Sequence, residues 1–165
     1  MSMAGLVYVY TGEGQGKTTA ALGLAIRAAG HGQPVSVIQF LKKGDYGETH
    51  FSRLHVEQYG SENFVREPTS LDRSRAMQAL DAAEQALKRQ PFLLVLDEVN
   101  VAVSMGLLSA DMVVRLLGKR GDTHVVLTGR DAPREFIEMA DVATRMEKIK
   151  HRYDEDGEAT KGLEY

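Results

Sequence analysis

A glycine-rich segment between a short β-rich run and a helical stretch is the strongest constraint on the fold of this 165-residue chain. Leu6–Tyr10 combines aliphatic and aromatic residues, as buried strands do, and Lys17–Ala29 is rich in alanine and leucine, which favour helices. The connection between them contains three glycines and ends in Gly-Lys-Thr. A strand, a glycine-rich turn and a helix in this order are typical of a phosphate-binding loop, and we therefore predict one at Thr11–Thr19, hereafter the phosphate loop.

The residues of the phosphate loop suit the binding of a nucleotide. Glycines at positions 12, 14 and 16 let backbone N–H groups surround phosphate oxygens, and the start of the following helix favours anions. Lys17 adds a positive charge, and Thr18 can offer its hydroxyl to Mg²⁺. The structural alternative is a turn that only joins strand to helix. The usual pattern also has glycine where this chain has Thr11. The predicted ATP-binding residues here are Thr11, Gly12, Glu13, Gly14, Gln15, Gly16, Lys17, Thr18 and Thr19.

Short β-rich runs alternate with helical stretches along the rest of the chain. This alternation predicts a mainly parallel sheet with helices on both faces, and we expect one doubly wound α/β domain over residues 1–165. In the long helix that Thr69 or Ser70 caps, apolar residues at helical spacing predict a core-facing stripe of Leu71, Met77, Leu80, Ala83 and Leu87. The predicted strands are Val35–Phe40, Leu54–Tyr59, Phe92–Leu96, His124–Thr128 and Val142–Met146. The further helices are Asn100–Met105, Ala110–Leu117 and Ala132–Met139.

Two acids follow the most apolar of these strands. Phe92–Leu96 is apolar on both faces, as a central parallel strand should be, and Asp97 and Glu98 come directly after it. Their carboxylates should therefore lie at the carboxyl edge of the sheet, beside the phosphate loop. One carboxylate there can position a cation and the other can hold water or metal. We predict a site for Mg²⁺ or Mn²⁺ made by Thr18, Glu98 and Asp97; the alternative is an acidic turn after a buried strand.

Composition excludes several other classes of function. With 20 Lys and Arg against 23 Asp and Glu, the chain lacks the basic surplus typical of nucleic-acid binding. No apolar run approaches the roughly 20 residues of a membrane span. Without a predicted secretory signal, we expect a cytoplasmic protein. The chain has no cysteine, and its five histidines lack metal-ligand spacing.

Two further residues are candidate ligand contacts. Arg130 follows a predicted strand at the same edge as the phosphate loop, where it could stabilise phosphate charge and join the ATP-binding residues. Its alternative role is that of a surface arginine in a turn. His31 stands between two glycines, either as a turn residue or as a substrate contact.

The order of motifs resembles that of the phosphate-loop ATP:corrinoid adenosyltransferases of cobalamin biosynthesis. The resemblance runs from Gly5 to Tyr165. The segments that carry it begin with Thr11-Gly-Glu-Gly-Gln-Gly-Lys-Thr-Thr-Ala-Ala21, Arg27-Ala-Ala-Gly-His-Gly32 and Val37-Ile-Gln-Phe-Leu-Lys42. They continue with Leu96-Asp-Glu98, Thr128-Gly-Arg130, Ala140-Asp141, Lys150-His151 and Lys161-Gly-Leu-Glu-Tyr165.

This resemblance implies a P-loop NTPase-like (RecA-like) fold and a transferase activity. The family transfers the 5′-deoxyadenosyl group of ATP to the cobalt of a reduced corrinoid and releases triphosphate. Because Co(I) is itself a strong nucleophile, the protein needs no nucleophile of its own. The resemblance further implies ATP bound in a reversed orientation, a homodimer, and an electron donor such as a reduced flavoprotein.

The resemblance also assigns roles to single residues. It implies catalytic roles for Lys17, Glu98 and Phe64, and corrinoid-side positions for His31, Lys42 and Phe64. Relatives carry an aromatic-rich Gly-Phe-Thr-Trp segment against the lower face of the corrinoid, where this chain has Asn63-Phe-Val-Arg66. Two other functions stay open. One is a small-molecule kinase or NTPase in which Glu98 acts as base or positions water. The other is a carrier that binds ATP and corrinoid without turnover.

Overall fold

A computed structural model describes residues 4–62, 65–151 and 159–165 of the chain. Within these residues, six strands form one sheet in the order β3-β2-β4-β5-β1-β6, and every neighbouring pair is parallel. The predicted parallel α/β fold is therefore confirmed. The strands are β1 (Val7–Thr11), β2 (Val35–Phe40), β3 (His55–Tyr59), β4 (Leu93–Asp97), β5 (His124–Thr128) and β6 (Val142–Arg145).

Helices cover both faces of the sheet. Those in the described residues are α1 (Lys17–Gly30), α2 (Ser70–Lys88), α3 (Val99–Ser104), α4 (Ala110–Leu117) and α5 (Arg134–Met139), with a 3₁₀ turn at Gly47–His50. Because side chains alternate along a strand, β2 contributes residues to two separate hydrophobic cores. Val37 packs with the alanines of α1, whereas Ile38 packs with those of α2. Among the described helices, none is long and apolar enough to cross a bilayer.

Apart from shifts of one residue at helix ends, two details of the helices differ from the predictions. Leu71 is 56% exposed and lies outside the core, because the buried stripe of α2 consists mainly of alanines such as Ala76 and Ala79, which let the helix lie close to the sheet. Helix α5 begins at Arg134 rather than at Ala132, since the residue before Pro133 is disfavoured in helical conformation. By contrast, Thr69 caps α2 as predicted, through a reciprocal capping box with Asp72.

The strand order determines which groups meet at the carboxyl edge of the sheet. Strand β5 lies between β1 and β4, so the phosphate loop after β1 reaches the end of β4 across the end of β5. Thr128, the last residue of β5, thereby lies between the loop and the acids Asp97 and Glu98, which end and follow β4. The topology thus gathers three chain segments that are distant in the sequence.

Candidate nucleotide and metal site

Backbone hydrogen bonds hold the phosphate loop against Met146, the residue that follows β6. The Gly14 N–H donates to the Met146 carbonyl over 2.8 Å, and the Met146 N–H donates to the Thr11 carbonyl over 2.8 Å. A Cβ on Gly12 would collide with the Met146 carbonyl, and Gly12 has a φ of 100°. Part of the requirement for glycine therefore comes from this close approach of the chain, in addition to the approach of phosphate that the sequence predicted.

Lys17 closes the phosphate loop from inside. Its ammonium donates to the Gly12 and Gly14 carbonyls, each over 2.7 Å. Partial burial lowers the pKa of Lys17, although the nearby charge of Glu98 acts in the opposite direction. The positive charge is thus placed where the loop curls, beside the first turn of α1.

Asp97 is the centre of a buried hydrogen-bond network at the end of β4. Its side chain is 1% exposed, and one carboxylate oxygen accepts from the hydroxyls of Thr18 and Thr128, each over 2.7 Å. The other oxygen accepts from the Lys42 ammonium over 2.7 Å and from the Gln39 amide over 3.2 Å. Burial alone would raise the pKa of Asp97, but the Lys42 charge and these donors lower it overall. Asp97 is therefore a carboxylate in this site.

Glu98, the neighbour of Asp97, is placed in the opposite electrostatic situation. Its backbone adopts a left-handed conformation with φ 63°, and its N–H donates to the Thr128 hydroxyl over 2.9 Å. Burial and then the negative charge of Asp97 raise the pKa of the Glu98 carboxyl, against the opposing charges of Lys42 and Lys17. The Glu98 side chain lines the cavity described below. A cation bound there would favour its ionised form.

These oxygens fit a hard divalent cation. Mg²⁺ is commonly held by one or two carboxylates, together with a hydroxyl and phosphate oxygens. Thr18, Asp97 and Glu98 bring such groups together at the start of α1. The described residues contain no cluster of three or more His, Cys, Asp and Glu side chains suited to a metal.

Arg130 is held near the loop by a turn that requires glycine. Gly129 has a φ of 127°, and its carbonyl accepts from the buried Asn100 amide over 2.9 Å. Arg130 forms an ion pair with Glu13 over 3.3 Å, and both side chains are more than half exposed. The pair lies at the rim of the cavity, where the guanidinium could exchange Glu13 for phosphate.

A cavity of about 920 Å³ extends from the phosphate loop. Its polar end contains Lys17, Glu98 and Arg130, together with Gln15, Thr19 and other loop residues. Its wall is apolar along α1 and the loop after β2, and the segment 162–165 covers one side. The apolar lining residues are Leu22, Ile26, Phe51, Leu54 and Leu163.

The other predicted site residues are placed as follows. The Thr11 hydroxyl accepts from the Ala132 N–H over 3.1 Å and therefore ties the start of the phosphate loop to the segment after β5. His31 follows the last residue of α1, about 21 Å from the phosphate loop along the helix axis, and is not among the residues that line the cavity. Lys42 contacts the predicted metal ligands Asp97 and Thr18, while its corrinoid-side role stays a prediction. Phe64 lies outside the described residues.

Gln39 and Asn100 are site residues that the sequence reasoning missed. Gln39 is fully buried; its amide donates to Glu48 over 2.7 Å and to Asp97, and its carbonyl accepts from Gln58 over 2.9 Å. The available signal was a glutamine within the otherwise apolar second half of β2, since a buried amide needs partners. Asn100, the second residue of α3 after Glu98, joins the ends of β1 and β5 through the carbonyls of Tyr10 and Gly129.

The fold and the site define an α/β nucleotide-binding protein of the P-loop class. The chain matches the family model "ATP:corrinoid adenosyltransferase BtuR/CobO/CobP" over residues 3–165. It is 36% identical to a corrinoid adenosyltransferase from a Sinorhizobium species, over 98% of this chain and 80% of the relative. It is 37% identical to the corrinoid adenosyltransferase of Pseudomonas aeruginosa, over 98% and 84% of the two chains. It is also 37% identical to corrinoid adenosyltransferase CobA of Salmonella typhimurium, over 98% and 86%. The chain belongs to the family of ATP:corrinoid adenosyltransferases.

Proposed function

We propose that this chain transfers the 5′-deoxyadenosyl group of ATP to the cobalt of a reduced corrinoid and releases triphosphate. The observation that carries the proposal is the family match over residues 3–165, together with a phosphate loop whose Lys17 faces the same cavity as Glu98. The kinase and carrier alternatives lack a comparable observation.

The transfer is a displacement at the 5′-carbon of ATP. The electron pair of Co(I) forms the cobalt–carbon bond, the bond from the 5′-carbon to oxygen breaks, and its electron pair leaves on triphosphate. The protein therefore has to place the 5′-carbon near cobalt and stabilise the charge that develops on the leaving group. We infer that Lys17 and Arg130, which line the cavity, perform the second task together with the N–H groups at the start of α1. A preorganised donor of this kind lowers the activation barrier by about 3 kcal/mol.

We propose that Thr18 and Glu98, with Asp97 beside them, hold Mg²⁺ or Mn²⁺. Such an ion would neutralise part of the triphosphate charge. The low pKa of Asp97 keeps one carboxylate ionised, and the network from Thr128, Lys42 and Gln39 fixes its orientation.

The test is product analysis after incubation with ATP, Mg²⁺ and a chemically reduced corrinoid. An adenosyltransferase changes the absorption spectrum of the corrinoid and leaves triphosphate, a kinase or NTPase leaves ADP, and a carrier binds both ligands without turnover. Lys17→Ala is the matched inactive control. The proposal is rejected if ADP is the main product, or if neither triphosphate nor an adenosylated corrinoid is formed.

We propose that Phe64 acts on the corrinoid side, on the basis of its position in the segment that corresponds to the aromatic-rich segment of relatives. An apolar ring against the lower corrinoid face would exclude the axial ligand and ease reduction of Co(II). Phe64→Ala should then lose activity with cob(II)alamin plus a reductant, and lose much less with preformed cob(I)alamin. Equal losses in both assays would instead favour a residue that anchors its loop.

The electron donor, the oligomeric state and the location of the protein are supported by the resemblance and the sequence alone. We propose a homodimer in the cytoplasm that accepts electrons from a reduced flavoprotein, with His31 and Lys42 on the corrinoid side. Sedimentation of the purified chain tests the homodimer, since a monomer at micromolar concentration would reject it. Reduction of the bound corrinoid by a flavodoxin-type donor tests the electron donor.

A further inference from the structure

The Lys42 ammonium lies between two of the predicted metal ligands. It is 2.7 Å from the Asp97 carboxylate and 3.3 Å from the Thr18 hydroxyl, and its side chain is only 19% exposed. The Thr18 hydroxyl in turn donates to the same carboxylate group over 2.7 Å. A single positive charge therefore contacts both oxygen groups that a phosphate-loop protein presents to its divalent cation.

The backbone holds Lys42 in this position. Leu41, the residue before it, has a φ of 60°, a conformation that is costly for a side chain of this kind. Gly60 packs so closely that a Cβ there would collide with the Lys42 backbone. Such strain persists where the surrounding structure fixes it and is concentrated at functional positions.

We infer that Lys42 is a built-in cation of the metal site, which competes with a divalent ion for Asp97 and Thr18 and must release the Thr18 hydroxyl before that ion can bind. The reason is electrostatic: two cations that share the same oxygens lie within a few ångströms and repel each other strongly in a buried site. The inference rests on the proposed cation site at Thr18, Asp97 and Glu98.

One consequence concerns the order in which ligands bind. Without nucleotide, the ammonium already neutralises Asp97, so a divalent ion alone should bind weakly. Triphosphate offers Lys42 new oxygen partners, because Lys42 lines the same cavity as Lys17 and the rest of the phosphate loop. The ion should therefore bind tightly only together with ATP.

The test measures Mn²⁺ binding to the full chain without ATP or corrinoid, by electron paramagnetic resonance of the free ion. Lys42→Met should bind Mn²⁺ at least about tenfold more tightly than the unmodified chain, because the competing charge is gone. Lys42→Arg keeps the charge and should stay within about threefold. Lys43→Met removes an equal charge from the exposed neighbouring residue and should change the affinity less than about twofold.

The location of the gained affinity is tested in a double variant. Adding Thr18→Val to Lys42→Met should abolish the gain, and a gain that persists shows that Mn²⁺ binds elsewhere and overturns the inference. Equal, weaker or undetectable binding by Lys42→Met also overturns it. If Lys42→Met does not fold, as judged by its thermal unfolding, Lys42→Gln takes its place. Because this readout uses neither substrate, its failure leaves the product analysis for adenosyl transfer unaffected, and the reverse also holds.

Discussion

The two edges of the sheet use polar side chains in different ways. At the amino edge, polar side chains bond to the backbone: Asp141 accepts from the Val7 N–H over 2.7 Å, and the Thr123 hydroxyl donates to the Pro91 carbonyl over 2.7 Å. At the carboxyl edge, some polar side chains such as Lys17 also bond to the backbone, but side chains from several segments converge on one further side chain, the Asp97 carboxylate. The amino edge closes the fold, whereas the carboxyl edge concentrates charge that a ligand can engage. A variant at the carboxyl edge should therefore affect activity more than stability, and one at the amino edge should do the reverse.

Lys17→Ala should produce the largest effect at the carboxyl edge. Within the described residues the Lys17 ammonium donates to two loop carbonyls, so its loss should lower turnover by roughly 10²–10³-fold while the melting temperature changes little. Steady-state turnover and thermal unfolding check both parts, with Lys43→Ala as the exposed-lysine control. Activity like that of the unmodified chain would remove the phosphate loop from the ATP site.

Glu98→Gln should have the next largest effect on activity. Because the pKa of Glu98 is raised, its carboxylate is lost on acidification at a higher pH than that of an ordinary glutamate. Metal-dependent turnover of the unmodified chain should therefore fall as the pH is lowered and Glu98 is protonated. The variant should lack this acidic decrease, and its turnover at neutral pH should be about 10–100-fold lower. A pH profile at several Mg²⁺ concentrations measures this. An unchanged metal dependence would assign the ion to Asp97 or to neither acid.

The stability of Glu98→Gln should change in the opposite direction from its activity. A raised pKa in the fold means that protonated Glu98 stabilises the protein below the unfolded pKa, and that this contribution is lost as pH rises through the folded pKa. At neutral pH the variant should therefore melt at the same temperature as the unmodified chain or higher. If the variant melts at a clearly lower temperature than the unmodified chain at neutral pH, the Glu98 charge is not unfavourable in the folded protein.

Gln39→Leu should have a smaller effect, because it removes one of the four donors to Asp97 found among the described residues while also freeing Glu48. We expect turnover to fall about tenfold through loss of orientation at Asp97. Ser36→Ala is the matched control, since Ser36 is also buried in β2 but near the amino edge. If both variants lose activity equally, Gln39 has no special link to the site.

Thr123→Val should leave turnover unchanged and reduce stability. The hydroxyl is buried and donates to the Pro91 carbonyl, so its removal should cost about 1 kcal/mol. For a chain of this size, that corresponds to a decrease in melting temperature of about 2–4 °C. A loss of turnover in the folded variant would show that the two edges are not separable.

The sequence was sufficient for the order of elements, because those signals are local. The glycines and Lys17 between a strand and a helix predicted the phosphate loop, and the apolar run before Asp97 predicted a central strand ending in acids. Small residues misled the prediction only in α2, where alanines rather than Leu71 face the sheet. Local pattern thus determined the architecture and the edge at which the site lies.

The tertiary structure alone decided how the charges at that edge are distributed. Asp97 and Glu98 are adjacent in the sequence, yet the pKa of one is lowered and that of the other is raised. The difference arises because Lys42, Thr18 and Thr128 converge on Asp97 from three other segments, whereas Glu98 is partly buried beside that negative charge. Burial and distance between segments depend on strand order, and neither residue identity nor spacing along the chain specifies them.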